Sequence, residues 1–187
     1  MNTGQTQDIS VRWPRRVLPW HAAALVALVA LLPAQAPAQN APTISVERMT
    51  LETALQVARA ALEACRDEGV QVSVTVIDRA GDPMVVLRDV LAMEVTLEIS
   101  QKKANAALMF NTPLSEFAPM VDERFPTAFD VPKLDRLILT PGAVPISAAG
   151  TLYGAVGVSG APSGMTDEAC AQAGLDAVSM DLEMGGF

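Results

Sequence analysis

Few side chains in this sequence can do acid–base or nucleophilic chemistry, and their positions limit the reactions open to it. The one histidine, His21, lies inside an apolar N-terminal segment. The carboxylates closest to forming an acid–base pair are Asp78, Asp82 and Asp89. Asp78 and Asp82 flank a turn, where aspartate commonly makes local hydrogen bonds. No nucleophile, base and orienting residue form a recognisable set, so the sequence favours binding over catalysis.

Cys65 and Cys170 are the only cysteines, and each falls at an apolar position of a predicted helix. Two cysteines in an oxidising compartment can pair, whereas free thiols are common as buried core residues. The pattern favours buried free thiols and leaves a disulfide open.

Three glycines, Gly154, Gly157 and Gly160, recur at intervals of three residues. This is not the nucleotide-binding G-x-G-x-x-G spacing, and no P-loop lysine follows, so nucleotide binding is not expected. Close approach of backbones along a strand explains glycines at such positions. A second interpretation is that Ser159 and Gly160 open a loop to Thr166 that binds a carboxylate at a helix start.

The first 38 residues have the three parts of a cleavable export signal in order. Its positive region is formed by Arg12, Arg15 and Arg16. An apolar run at 22–32 follows, and small residues place cleavage after Ala38. A membrane-spanning helix needs about 20 apolar residues, so a cleaved signal is preferred to an anchor. The protein is predicted to be periplasmic or secreted, and the adjacent arginines leave twin-arginine export open beside the general route.

Removal of residues 1–38 changes the composition in a way that limits function. It takes away His21, both tryptophans, three arginines and one aspartate, which leaves 10 basic and 20 acidic residues and a net charge of −10 against −8 for the whole chain. Nucleic acid is not an expected partner of so acidic a domain. Without histidine, imidazole-based catalysis and histidine ligation of metal or haem are excluded. The remainder suits a linker at 39–49 and one domain at 50–187.

The spacing of apolar residues predicts the elements of the first half. Thr50 is expected to cap a helix that Gly69 ends. Alternation from Val70 to Val76 predicts a strand with one buried face, and a turn at 78–83 leads to a second strand at 84–88.

The second half begins with a predicted helix at 93–110. Four prolines then indicate an irregular stretch at 111–132 without a long helix, of the kind that often carries function. Further strands are predicted at 136–139, 144–147 and 152–158, and Thr166 is expected to cap a last helix. This order predicts an α+β sandwich around an antiparallel sheet.

Three parts of the chain resemble the GlcG/HbpS-type haem-binding (also called haem-degrading) domain family. They are VSVTVIDRAG at 72–81, EISQKKANAA at 98–107, and the series GAVPI at 142–146, GAVGVSGA at 154–161 and DEACAQAG at 167–174. The resemblance implies a profilin-like sandwich of about five antiparallel strands, a homo-oligomer, and haem as the expected cofactor. Activity within the family is diverse, and a shared fold does not fix it.

The resemblance also implies ligand-binding residues on the second helix. Lys103 matches the lysine of the family's K-A-x-T-A pattern and suits a haem propionate, with a solvated or interface lysine as the alternative. Asn105 follows Lys103 by two residues, at the variable position of that pattern. Where many members carry threonine, this chain has Ala106, so a hydroxyl associated with the family's haem pocket is missing.

With no histidine, other residues must supply any iron ligand. Methionine sulfur can ligate haem iron, which makes Met93 and Met109 candidates, although core packing is the commoner role of methionine. Tyr153, the only tyrosine, is a candidate ligand or hydrogen-bonding partner. The metal-binding residues themselves are not identified by the sequence.

The sequence therefore predicts an exported α+β domain that oligomerises and binds a small ligand, haem or another tetrapyrrole first among them. Two alternatives stay open. One is an enzyme that acts on a small organic acid with carboxylate and lysine groups. The other is a non-catalytic accessory subunit, for example beside a periplasmic oxidoreductase.

Overall fold

Four antiparallel strands form the centre of the domain, and helices lie on both faces of the sheet. A computed structural model describes residues 42–124 and 135–185, within a compact unit that begins at Ser45. The predicted export signal at 1–38 lies outside the described residues. In chain order the elements are α1 Leu51–Asp67, β1 Ser73–Asp78, β2 Pro83–Arg88, α2 Val95–Phe110, α3 Leu114–Arg124, β3 Ala143–Ala148, β4 Thr151–Ser159 and α4 Gly164–Met184.

The strands are ordered β2-β1-β4-β3 across the sheet, with every neighbouring pair antiparallel. Val76 of β1 lies opposite Val85 on one side and Val156 on the other. Ala149 and Gly150 join β3 to β4, with φ angles of 48° and 80°. Positive φ at both central residues is typical of the type I′ turn, whose twist suits a two-residue hairpin.

Both faces of β1 are buried, which corrects the prediction of one buried face. Val74 and Val76 lie in the main core with α1 and α4. On the opposite face, the Ser73 hydroxyl is 2.7 Å from that of Thr96, and the Thr75 hydroxyl is 2.8 Å from that of Ser100 in α2. Alternation of polar and apolar residues suggested a solvated face, but paired hydroxyls can be buried because each satisfies the other.

Helix α2 lies unusually close to the sheet. A Cβ atom at Gly157 would overlap the carbonyl oxygen of Ser100 and come within 2.7 Å of the Ala104 nitrogen. The residues of α2 that face the sheet are small, with Ala104 and Ala107 fully buried. The interpretation of the glycine series as close backbone approach is therefore confirmed at this position.

A disulfide joins α1 to α4, which corrects the expectation of free thiols. Cys65 and Cys170 are bonded, with their Cα atoms 5.5 Å apart and a separation of 105 positions in sequence. Both side chains lie in the main core, so burial and pairing are compatible here. Gly174 lets the two helices approach, since a Cβ there would come within 2.8 Å of the Val57 carbonyl oxygen.

Several predicted boundaries differ from the structure. Helix α3 occupies part of the stretch expected to be irregular and contains Pro119; its start is stabilised by burial of Leu114 and by a carboxylate from α4. The segment 136–139 pairs with no described strand, so the fifth strand predicted there is absent. The last helix is capped by Ser163, whose hydroxyl accepts from the Thr166 nitrogen, and not by Thr166 itself.

The first helix, by contrast, follows the prediction. It begins after Thr50, whose hydroxyl accepts from the Thr53 nitrogen. Gly69, with φ of 75°, follows its end. Among the described helices, none is both long enough and apolar enough to cross a membrane.

Candidate functional site

Lys103 is buried and forms an ion pair inside the protein. Its side chain extends from α2 towards the start of α4, where Nζ lies 2.8 Å from Oδ2 of Asp167 and donates to the Val158 carbonyl oxygen at 3.3 Å. The residue is only 4% exposed. Gly142 provides the space, because a Cβ at that position would collide with the ammonium group. The alternative of a solvated lysine is therefore wrong.

Asp167 makes the start of α4 an internally satisfied anion site. Its Oδ1 accepts from the Ala161 nitrogen at 2.9 Å, and the Thr166 nitrogen is bonded to Ser163. Burial raises the pKa of Asp167, against the opposing effects of Lys103 and of the backbone N–H groups of Ala161 and Gly160. The loop from Ser159 to Thr166 thus already surrounds a carboxylate, which belongs to the protein itself.

Glu168, the next residue, is buried beside this pair. Its carboxylate accepts from the Gly142 nitrogen at 2.9 Å and from the Ser115 nitrogen, at the start of α3, at 3.0 Å. We call Lys103, Asp167 and Glu168 the α4 charge cluster. The sequence shows two acidic residues in a first helical turn, which suggests an exposed helix start; their burial is not visible until α2 and α3 are packed against them.

A separate cavity of about 360 Å³ lies beside the C-terminal half of α2 and next to the turn between β1 and β2. Gly81, whose φ is 90°, is one of the residues that line it. From the point where a Cβ of Gly81 would lie, Oδ1 of Asn105 is 3.5 Å away, Nη2 of Arg136 is 3.8 Å away and Cδ2 of Leu108 is 3.8 Å away. We call this space the Gly81 cavity, and its volume is within the usual range for ligand sites, roughly 300–1,000 Å³.

The polar groups of the Gly81 cavity are incompletely satisfied. Asn105 donates weakly through Nδ2 to the Arg136 carbonyl oxygen at 3.4 Å, while its Oδ1 is buried without a hydrogen-bond partner among the described residues. Arg79 and Arg136 both line the cavity. Neither arginine forms an ion pair with any residue whose side chain the structure describes.

The arginines were not predicted as site residues. Arg79 stands in a turn and Arg136 in a segment predicted as a strand, and 57 sequence positions separate them. The only available signal was that Arg79 lies between two turn-forming residues, Asp78 and Gly81, within a segment that resembles the family.

The structure does not bring the predicted site residues together in one site. Asn105 and Met109 line the Gly81 cavity, and Met109 is 59% exposed. Lys103 belongs to the α4 charge cluster, next to the end of β4 where Ser159 is buried and Gly160 has φ of 139°.

Met93 and Tyr153 lie apart from both. Met93 is 67% exposed in the connection between β2 and α2. Tyr153 is buried in the main core, and its hydroxyl donates to the Glu47 carboxylate at 3.2 Å. Burial of the ring raises the pKa of Tyr153, and the bond to Glu47 raises it further.

The carboxylates first considered for acid–base chemistry have structural partners. Asp78 Oδ1 accepts from the nitrogens of Ala80 and Asp82, which is the local turn bonding that the sequence suggested. Asp89 pairs with Arg66. Within the ranges that the structure describes, no three cysteine, histidine or acidic residues are grouped so as to hold a metal ion.

These features define a small α+β domain with a ligand-sized cavity beside its central helix. The profile of the family described as "Haem degrading protein HbpS-like" matches residues 49–176. The chain belongs to this HbpS-like family, which confirms the resemblance found in the sequence.

Solved structures give the same relationship. A double mutant of HbpS from Streptomyces reticuli is 36% identical with a TM-score of 0.68, over 78% of this chain and 99% of that one. Protein ORFY of Klebsiella pneumoniae is 28% identical with a TM-score of 0.68, over 74% and 96%. PduOC, solved as a haem complex, is 26% identical with a TM-score of 0.64, over 70% and 95%. The chain matches no curated protein.

Proposed function

We propose that this protein is an exported haem-binding protein. The observation that carries the proposal is its similarity to PduOC, which was solved with haem and aligns over 95% of its own length. Membership of the HbpS-like family supports haem-related binding in the same way. Haem, when bound, supplies a redox-active iron and two carboxylate arms; the chain has to supply an apolar surface, cations and any iron ligand.

The Gly81 cavity has the residue types that a haem edge requires. Arg79 and Arg136 are cations that suit propionate groups, and Leu108 contributes apolar surface. Met109, at the exposed rim, is the candidate iron ligand in this proposal. Lys103 is a weaker candidate for the propionate, because its ammonium group already has a carboxylate partner.

Export to the periplasm or outside the cell is part of the proposal. It is supported by the signal-like N-terminus and by the disulfide between Cys65 and Cys170, since disulfides persist mainly in oxidising compartments.

Self-association is also part of the proposal. Four large apolar residues are exposed in the connection between β2 and α2 and the first turn of α2: Val90, Leu91, Met93 and Val95. Contiguous exposed apolar side chains are typical of interaction surfaces, which supports a homo-oligomer. The profilin-like relationship remains a proposal of the same kind.

Titration of the purified protein with haemin tests the haem proposal. We expect a shifted Soret band that saturates at a fixed stoichiometry. Met109→Leu removes the thioether and should alter the Soret position, whereas Met93→Leu, an equally conservative change at another exposed methionine, should not. Absence of any Soret shift and of saturation would overturn the proposal.

The two alternatives are distinguished by other measurements. An enzyme that acts on a small organic acid would show turnover without added haem, and the arginines of the Gly81 cavity favour such a substrate class. An accessory subunit, for example of a periplasmic oxidoreductase, would co-purify with its partner and take up no haem.

A further inference from the structure

We propose that the Gly81 cavity is a carboxylate-binding site in which Arg79 and Arg136 provide the charge. The carboxylate is either a propionate of haem or a free small organic acid. The first form rests on the proposed function, and the second does not.

The first argument concerns charge. The chain has 21 acidic residues and 13 basic ones, so most cations have carboxylates available to them. In the described ranges, Arg48, Arg66, Lys102 and Lys103 all form ion pairs. Arg59, Arg79, Arg88 and Arg136 form none, and of these four it is Arg79 and Arg136 that line the Gly81 cavity. The planar guanidinium group matches a carboxylate with two parallel hydrogen bonds, so two such groups in one cavity favour this ligand chemistry.

The second argument concerns the space over Gly81. The positive φ of this residue suits glycine, and the missing side chain leaves open the point on which Arg136 Nη2 and Asn105 Oδ1 converge. A ligand group at that point would meet a cationic donor and a neutral acceptor together. A carboxylate that brings a neighbouring hydroxyl, or a bound water, satisfies both.

The third argument is that the turn holding Arg79 is already ordered. Asp78 Oδ1 accepts from the Ala80 nitrogen at 2.8 Å and from the Asp82 nitrogen at 3.1 Å, and the Asp78 carbonyl accepts from the Gly81 nitrogen at 3.0 Å. A preorganised site binds with a smaller loss of entropy. Asp78 therefore orders the backbone of the turn that carries Arg79.

The experiment compares four ligands on one set of proteins: haemin, haemin dimethyl ester, lactate and propanoate. The dimethyl ester keeps the macrocycle and lacks ionised carboxylates. Propanoate lacks the hydroxyl of lactate and has the length of a haem propionate arm. The proteins are the wild type, the double variant Arg79→Gln with Arg136→Gln, and Arg59→Gln as a control for loss of an exposed arginine on α1.

Haemin is followed by its Soret band and the small acids by NMR signals of the arginine and Asn105 side chains. If the site holds a propionate, the double variant weakens haemin about tenfold or more and leaves the dimethyl ester unchanged. If it holds a free acid, lactate or propanoate shifts the side-chain signals of Asn105 and the arginines in the wild type, and the double variant abolishes the Asn105 shift. Arg59→Gln should match the wild type in every titration.

The carboxylate proposal is overturned if the double variant binds haemin like the wild type and neither acid shifts these signals. In that case haem binding itself still stands. Conversely, a wild type that gives no Soret change but responds to lactate or propanoate at Asn105 overturns the haem proposal and retains the carboxylate site as one for a free acid.

Discussion

Lys103 and Asn105 are two residues apart on α2, but Lys103 belongs to the α4 charge cluster and Asn105 lines the Gly81 cavity. The two regions differ in whether their cations have a carboxylate partner. In the α4 charge cluster, the cation is buried and paired with Asp167 at 2.8 Å. In the Gly81 cavity, two arginines lie at the surface without an ion pair in the described residues. The first arrangement ties α2 to α4, and the second leaves charge available to a ligand.

The comparison shows why a lysine that matches a family pattern need not be the residue that meets the ligand. A buried charge without a partner is highly unfavourable, so Lys103 requires Asp167 whether or not a ligand is present. An exposed arginine has no such requirement, because water solvates it. The family pattern pointed to this helix, and burial decides which cation on or near the helix is free to bind.

The largest expected effect is on stability when Lys103 is changed. Lys103→Met leaves the Asp167 carboxylate buried without its cation, and loss of one partner of a buried pair costs about 3–5 kcal/mol of unfolding free energy. Urea unfolding measures this difference. Adding Asp167→Asn to the same protein should recover part of the loss.

Two matched changes test whether this cost comes from burial. Lys102→Met removes the adjacent lysine, whose pair with Glu98 is partly exposed, and should change stability little. Arg136→Gln removes a charge from the Gly81 cavity and should stay within about 0.5 kcal/mol of the wild type. The contrast between the two regions fails if Arg136→Gln is as destabilising as Lys103→Met.

The next largest effect on stability is expected from the disulfide, which joins α1 to the same helix, α4, that carries the α4 charge cluster. Cys170 is three residues after Asp167 on α4. Reduction should lower the unfolding free energy by about 2–4 kcal/mol, because the unfolded chain is then less constrained. Urea unfolding with and without reductant measures the loss.

A double variant, Cys65→Ala with Cys170→Ala, controls for other effects of the reductant and should not respond to it. Ligand titrations of the Gly81 cavity should be the same in oxidised and reduced wild-type protein, as long as both are folded. A reductant-sensitive affinity would show that the two regions are coupled.

The smallest expected effect is a pH dependence of stability that comes from Tyr153. It tests the role of burial in the main core, outside the two regions compared above. Burial and the bond to Glu47 raise the pKa of Tyr153 above its ordinary value of 10.0. The unfolded chain ionises near that value, so the stability associated with this residue is complete below about pH 10 and is lost as pH rises through the folded-state pKa. Because the chain has a single tyrosine, ultraviolet absorbance of tyrosinate reports it directly.

Glu47→Gln separates the two causes of this shift. Since burial is the largest single cause, the pKa of Tyr153 in the variant should stay above its ordinary value while falling below that of the wild type. A wild-type titration at the ordinary tyrosine value would contradict the burial that the structure shows.

The elements that local chemistry specifies were predictable, and those that depend on packing were not. Thr50 and Gly69 mark the ends of α1 through hydrogen bonds and a φ angle that neighbouring residues determine. The second buried face of β1 depends on hydroxyl partners in α2, 23 and 25 residues away. Helix α3 likewise forms where Pro119 argued for irregular structure, with its first turn bonded to Glu168, 53 residues away from Ser115.

The candidate site was predictable in the same partial way. Asn105 and Met109 lie on one helix, and the family resemblance pointed to that helix. Arg79 and Arg136 come from two distant segments, and the segment around Arg136 was predicted to be a strand. Only the folded chain brings these cations close to Asn105. Likewise, only the structure shows that Lys103 already forms an ion pair with Asp167.

The bond between Cys65 and Cys170 also gives the chain the connectivity of a closed ring. All four strands, together with α2 and α3, lie on the path between the two cysteines, which are 105 positions apart in sequence. A single proteolytic cut anywhere on that path would leave two pieces still covalently joined. In an oxidising compartment the protein would therefore keep its mass after nicking, and the two fragments would separate only on a reducing gel.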